Sequence, residues 1–148
     1  MQTKRKAADS TAILNSDKEK SLNSIVTAEN QNVKITAETV RQFVLSLGIS
    51  PNLEGFECVA QAIVLICNSS KQLVLTTELY PRVAQMVGLR SRSAERSIRY
   101  AISSFKKTHS SKDFESIFGF KLYGNLTNSK FLYLCAEKIK QGVKKRDV

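Results

Sequence analysis

An all-α fold, a compact bundle of about six helices containing a helix-turn-helix, is what this 148-residue sequence predicts. Three observations carry the prediction. Apolar residues recur at three- and four-residue spacings through most of the chain beyond residue 35, the period of one helix face. Nothing longer than Leu73–Thr76 reads as a strand, and four residues without an evident partner suit an extended lead-in better. The stretch Tyr80–Lys107 holds a short apolar-periodic segment, a glycine break and a longer segment with one apolar and one basic stripe.

Residues 1–34 are polar and non-periodic, and read as a flexible tail. Only a short helix around Ala12–Leu22 is conceivable there. Order is expected from Ile35, with Thr36 able to cap a helix carrying Val40, Phe43, Val44 and Leu47 before Gly48 stops it. Ser50-Pro51 opens the next segment, where Leu53, Phe56, Val59, Ala60, Ile63, Val64 and Cys67 form a wide apolar face. That width predicts a central helix. Asn68–Lys71 is a loop, and Pro81 places the start of the following helix near Leu79 or Tyr80, because proline is tolerated only in a first turn.

Val83, Ala84 and Val87 keep helical spacing up to Gly88, where a residue without Cβ accepts positive φ freely. Leu89 turns back to the core, and Ser91 is the expected N-cap of the longer helix, about 91–107. Ala94, Ile98, Ala101, Ile102 and Phe105 make its apolar stripe; Arg92, Arg96, Arg99 and Ser103 make a second stripe pointing elsewhere. A short helix Lys112–Phe118 ends at Gly119, and Thr127 or Asn128 caps a last helix carrying Phe131, Leu132, Leu134, Cys135 and Ile139. The domain is expected to close at 141, leaving 142–148 as a basic C-terminal tail.

The composition, 42% hydrophobic and 24% charged, is that of a globular protein. Its longest apolar run, Ala62–Cys67, is too short to span a bilayer, and no apolar segment follows Lys4, Arg5 and Lys6 as a secretory signal would require. A cytoplasmic, nucleoid-associated protein without membrane contact is expected. Cys58, Cys67 and Cys135 lack ligand spacing and are odd in number, so reduced buried thiols are expected and no metal or other cofactor. His109 stands alone in a polar loop, and no nucleophile–base set or glycine-rich phosphate loop exists to support an enzyme.

Charge points to a polyanionic partner. The net charge is +10, and segment by segment it is +2 over residues 1–35, −1 over 36–75, +5 over 76–110 and +4 over 111–148. The excess begins at the two-helix unit. Double-stranded DNA is the partner this implies, with the second helix in the major groove. Candidate base contacts are Arg92, Glu95, Arg96 and Arg99, with Arg96 first because arginine can donate two hydrogen bonds to guanine O6 and N7. Glu95 either accepts from a cytosine N4 or orients a neighbouring arginine. The competing structural reading is a solvated face laced by a Glu95–Arg99 pair, but arginines outnumber acids three to one between Arg92 and Arg99. Candidate phosphate contacts are Arg90, Ser91 and Ser93 at the helix N-terminus, Arg82, Ser103, Lys106 and Lys107, and Lys130 at the start of the last helix. Tyr80 is expected to pack, and Tyr100 to pack or donate to phosphate.

Several stretches, in order, resemble the C-terminal DNA-binding effector domain of the master response regulator of endospore formation. They are LGISPNLEGFECVAQAI (47–63), LYPRVAQ (79–85), ERSIRYAI (95–102), SIFGF (116–120), LTNSKF (126–131) and AEKIK (136–140). The resemblance covers about residues 36–140 and implies an all-helical bacterial transcription regulator with an embedded helix-turn-helix on short promoter boxes. It also implies a homodimer on paired boxes, and contact with an RNA polymerase sigma subunit near Phe118 and Phe120, residues that on their own read as a helix end stapled into the core. Glu95, Arg96, Ile98, Arg99, Ala101 and Ile102 carry the family's E-R-x-I-R-x-A-I pattern. Just upstream the family's order is Ser then Arg; here it is Arg92 then Ser93, which turns that arginine by about 100° and leaves base preference at that end open. About 35 polar residues precede the domain, too few for a phosphoacceptor receiver, so a free-standing effector domain is expected. The alternative function is a protein-interaction module, docking the same basic face on RNA polymerase, a sigma factor or a response regulator. Non-specific nucleoid or RNA binding is a third.

Overall fold

A computed structural model of the chain describes residues 34–147. The expected helix at Ala12–Leu22 and the Lys4–Lys6 cluster lie outside the described residues. The described residues from Ile35 onward make one compact all-helical unit, without a strand among them. Six α-helices follow in order: α1 (Ala37–Ser46), α2 (Glu54–Cys67), α3 (Tyr80–Val87), α4 (Ser91–Thr108), α5 (Ser111–Phe118) and α6 (Asn128–Asp147).

α2 is the central helix, touching α1, α3, α4 and α6. Its wide apolar face accounts for that place: Phe56, Cys58, Val59, Ala60, Ala62, Ile63 and Ile66 are all buried. Leu47, Leu79, Ile98, Ile102, Phe131 and Leu132 close around it from four other segments. Each such side chain contributes about 1.5–3 kcal/mol by leaving water, which is why a single face per helix suffices to hold the bundle.

Local chemistry sets the ends of the helices. Thr36 caps α1 by accepting the Thr39 N–H at 3.2 Å. Asn68 pins the backbone leading into α1, its Oδ1 accepting from Ile35 N–H at 3.1 Å and its Nδ2 donating to Ile35 O at 3.0 Å. α5 opens on a reciprocal capping box: Ser110 Oγ accepts from Asp113 N–H at 3.1 Å, and Asp113 Oδ2 accepts from Ser110 N–H at 2.8 Å. Thr127 caps α6, accepting from Lys130 N–H at 3.1 Å.

Two expectations are corrected. The lead-in to α3 is a π-helical turn, Leu75–Leu79, with Leu79 N–H bonded to Val74 O at 3.0 Å. The ring of Pro81 would press on the Thr77 carbonyl in a regular α-turn, and the wider turn relieves this. The Glu78 carboxylate closes it, accepting from Val74 N–H at 2.7 Å and Lys71 Nζ at 2.9 Å; the backbone bond first, then the lysine, hold its pKa below the ordinary value. Second, Ser91 is the first residue of α4, not its N-cap. Arg90 occupies that place, extended at φ −80° and ψ 153°, and contributes no capping side chain. α6 is helical to Asp147.

Candidate nucleic-acid interface

The unit α3–turn–α4 is built as its glycine suggests. Gly88 is left-handed at φ 76° and ψ 32°, and the following Leu89 N–H donates to Ala84 O at 2.8 Å, the long bond of a Schellman end. Leu89 folds back against the core, so three residues reverse the chain between the helices.

α4 has two unlike faces. Ala94, Ile98, Ala101, Ile102 and Phe105 are buried, and Phe105 stacks on His109 with ring centroids 4.0 Å apart. His109 Nδ1 donates to Phe105 O at 2.9 Å, so the only histidine finishes this helix. The helix is fixed to α2 at close range. A Cβ placed on Gly55 would overlap the Ser97 carbonyl oxygen and lie 2.9 Å from Ala101 Cβ, while Ser97 Oγ donates to Glu54 Oε1 at 2.9 Å. Neither contact was visible in the sequence. The one available signal was a glycine inside an otherwise strongly apolar helix, which marks a close approach.

On the outward face Arg92, Arg96, Arg99 and Lys107 are exposed and Ser103 is half-buried. At 100° per residue, Arg96 stands almost opposite the centre of the buried stripe. Among the described residues neither Arg92 nor Arg96 has a carboxylate within salt-bridge distance, whereas Arg99 Nη1 donates to Glu95 Oε2 at 2.6 Å. This is the i, i+4 pair expected both of a solvated helix face and of a glutamate that orients a neighbouring arginine. Arg90 and Ser91 are exposed at the N-terminus of α4, with Ser93 half-buried just inside it. No side chain caps that end, which leaves first-turn N–H groups directed outward beside three arginines or serines, a setting suited to phosphate.

The other candidates lie on neighbouring elements. Arg82 is exposed on the first turn of α3 and Lys130 on the first turn of α6. Lys106 Nζ donates to Leu126 O at 3.2 Å, so it holds the turn leading into α6 as well as carrying charge. Tyr80 packs in the core, and burial pushes its phenol up. Phe118 is only 8% exposed, with its ring 4.7 Å from that of Phe114, in keeping with a helix end stapled into the core. Phe120 is 45% exposed and meets Phe114 edge-on. The apolar end of α5 simply turns Phe118 inward to complete the core.

A family model described as sporulation initiation factor Spo0A C terminal matches residues 40–139. The chain belongs to that family. The match takes in all of α2 to α5 and most of α1 and α6, so the family's domain and the compact unit coincide over nearly their whole length. The Spo0A C-terminal family is the DNA-binding domain of a sporulation transcription factor, which makes DNA-binding regulation the function at the coarse level and DNA the partner. In that light the outward face of α4, where Arg92 and Arg96 have no acidic partner among the described residues, is the feature of most chemical interest. The thiols are not: burial pushes Cys58 and Cys67 to about 11 and Cys135 well above the ordinary range. No described helix is long and apolar enough to cross a membrane.

Proposed function

We propose that the chain is a sequence-specific double-stranded DNA-binding transcription regulator in which α3 and α4 act as a helix-turn-helix, α4 entering the major groove. The carrying observation is the pair Arg92 and Arg96, exposed and without acidic partners among the described residues, on the side of α4 opposite a wholly buried stripe. A charge held that way faces whatever approaches the helix. Arg96 then reads a guanine through its two parallel donors, and Arg92 reads or brackets the adjoining step. Arg99, held by Glu95, acts with its carboxylate as one unit: the arginine directed at an acceptor, the glutamate free to take a cytosine N4 donor on its other lone pairs.

Arg82, Arg90, Ser91, Ser93, Ser103, Lys106, Lys107 and Lys130 supply phosphate contacts and fix register rather than sequence. Two copies on paired boxes would extend the site, and Phe120 is the exposed residue of the segment assigned to a sigma-subunit contact. Selection of duplexes from a random library at fixed salt tests the reading. An enriched box, bound with an affinity that falls steeply with salt, is the expected result. Equal affinity for all duplexes would instead support non-specific binding, and no retardation even at low salt would favour a protein partner for the same face.

A further inference from the structure

The outward face of α4 carries one large side chain that neither the fold nor the charge pattern uses. Tyr100 is 65% exposed on a helix whose other aromatic, Phe105, is buried. Its hydroxyl makes no hydrogen bond with any described residue, and its ring stacks on none. It sits at i+4 from Arg96 and i+8 from Arg92, within about 40° of Arg96 around the helix, and with Ser103 and Lys107 it belongs to the same outward strip. An apolar ring kept in water costs free energy that folding does not recover here, since no neighbour in the unit covers it. Flanked by Arg96, Arg99 and Lys107, it is placed for a polyanionic ligand that also presents an apolar group.

The major groove offers one such group, the 5-methyl of thymine. We propose that Tyr100 is a specificity-determining residue of this face: its ring packs on a thymine methyl next to the base read by Arg96. The inference rests on the DNA-reading assignment of α4 made above. Four residues advance the helix about 6 Å, under two base-pair steps, so the two side chains would address neighbouring positions of one box. The phenol edge, rather than its hydroxyl, does the reading.

The test uses the full chain and the duplex enriched from a random library, with each thymine replaced in turn by deoxyuridine, which removes only the methyl. Binding is followed by fluorescence anisotropy at one salt concentration. For the unsubstituted protein one uracil is expected to weaken binding about fourfold, the worth of one buried methyl group. Tyr100→Ala should bind the parent duplex several-fold more weakly and show no further loss at that uracil, whereas Tyr100→Phe should keep the full uracil effect. Circular dichroism is expected to be unchanged for both variants, as Tyr100 supports no packing. If Tyr100→Ala still loses fourfold at the same uracil, or if no uracil matters to the unsubstituted protein, the proposal is overturned. If Tyr100→Phe loses as much as Tyr100→Ala on the parent duplex and both ignore the uracil, the hydroxyl contacts a phosphate and the methyl reading is wrong. Arg96→Ala run in parallel separates the two levels. Its loss of discrimination with an indifferent Tyr100→Ala condemns only Tyr100, while indifference of both, or failure to enrich any duplex, removes the DNA-reading assignment together with the proposal.

Discussion

Replacing Gly55 by alanine should loosen the bundle where the candidate reading helix is held. The added Cβ would overlap the Ser97 carbonyl oxygen, lie 2.9 Å from Ala101 Cβ and 3.0 Å from the Ser97 carbonyl carbon. Two of those atoms are helix backbone and the third is a methyl on a rigid stem, so no side-chain rotation relieves the clash. α2 and α4 must separate instead, and separation opens the contacts of Val59, Ile98 and Ile102 nearby. Overpacking of this kind costs about 1–3 kcal/mol, and backbone neighbours place it at the upper end. Alanine recovers about 1 kcal/mol of helix propensity. The net loss is about 2 kcal/mol, a fall in Tm of roughly 10 °C for a unit of this size.

Gly142 provides the internal control. It too is helical, but a Cβ there meets nothing within 4 Å, so Gly142→Ala should leave Tm unchanged or raise it by a few degrees. Thermal unfolding followed by circular dichroism measures both. A Gly55→Ala protein as stable as the parent would refute the close α2–α4 crossing, and with it the account of how α4 is held.

Other consequences concern charge and thiols. Arg41 holds Glu57 by a bidentate pair at 3.0 and 2.9 Å, and this hydrogen bonding lowers the Glu57 pKa from its ordinary 4.5 against the opposing effect of burial. A depressed carboxylate contributes stability that is present above 4.5 and lost as pH falls through the lower folded-state value. Glu57→Gln should therefore be less stable than the parent at neutral pH, with the difference narrowing in acid; denaturant titrations at pH 7 and at successively lower pH check it. The three thiols should react with a thiol reagent at neutral pH at rates governed by opening of the fold, Cys67 before the fully buried Cys135. Rapid labelling of Cys135 in the native protein, detected by mass spectrometry, would contradict the packing of α6 on α2.

What the sequence disclosed follows from the range of the interactions involved. Gly88 was legible because a left-handed residue is a local demand, and the stripes of α4 were legible because helical period alone separates Ile98 from Arg96. Ser91 misled because the residue that leaves the helix is chosen by backbone angle, and Arg90 takes the extended conformation although its side chain caps nothing. The Leu75–Leu79 turn needed the proline's steric effect carried back four residues. Gly55, the Glu54–Ser97 bond and the two hydrogen bonds between Tyr133 and Leu73 join residues more than forty apart in sequence, where no periodicity reaches. Phe118 and Phe120 differ by only two positions, yet the end of α5 sends one into the core and leaves the other at the surface.

For the candidate site the division is sharper. Residue types, face and the i, i+4 pairing of Glu95 with Arg99 were readable; which of the two roles that pair gives Glu95 was not. Glu95 is bonded to Arg99, leaving Arg92 and Arg96 as the α4 arginines without an acidic partner among the described residues. That distinction bears directly on which side chain carries sequence information.

The ratio of affinities for an enriched duplex and a random duplex, measured over a range of salt for the parent and Arg96→Ala, tests this most directly. The account predicts that Arg96→Ala collapses the ratio by about 1–3 kcal/mol while the salt slope changes by no more than about one phosphate contact. An unchanged ratio, with or without a change in slope, would contradict the placing of Arg96 at a base edge and of α4 in the groove.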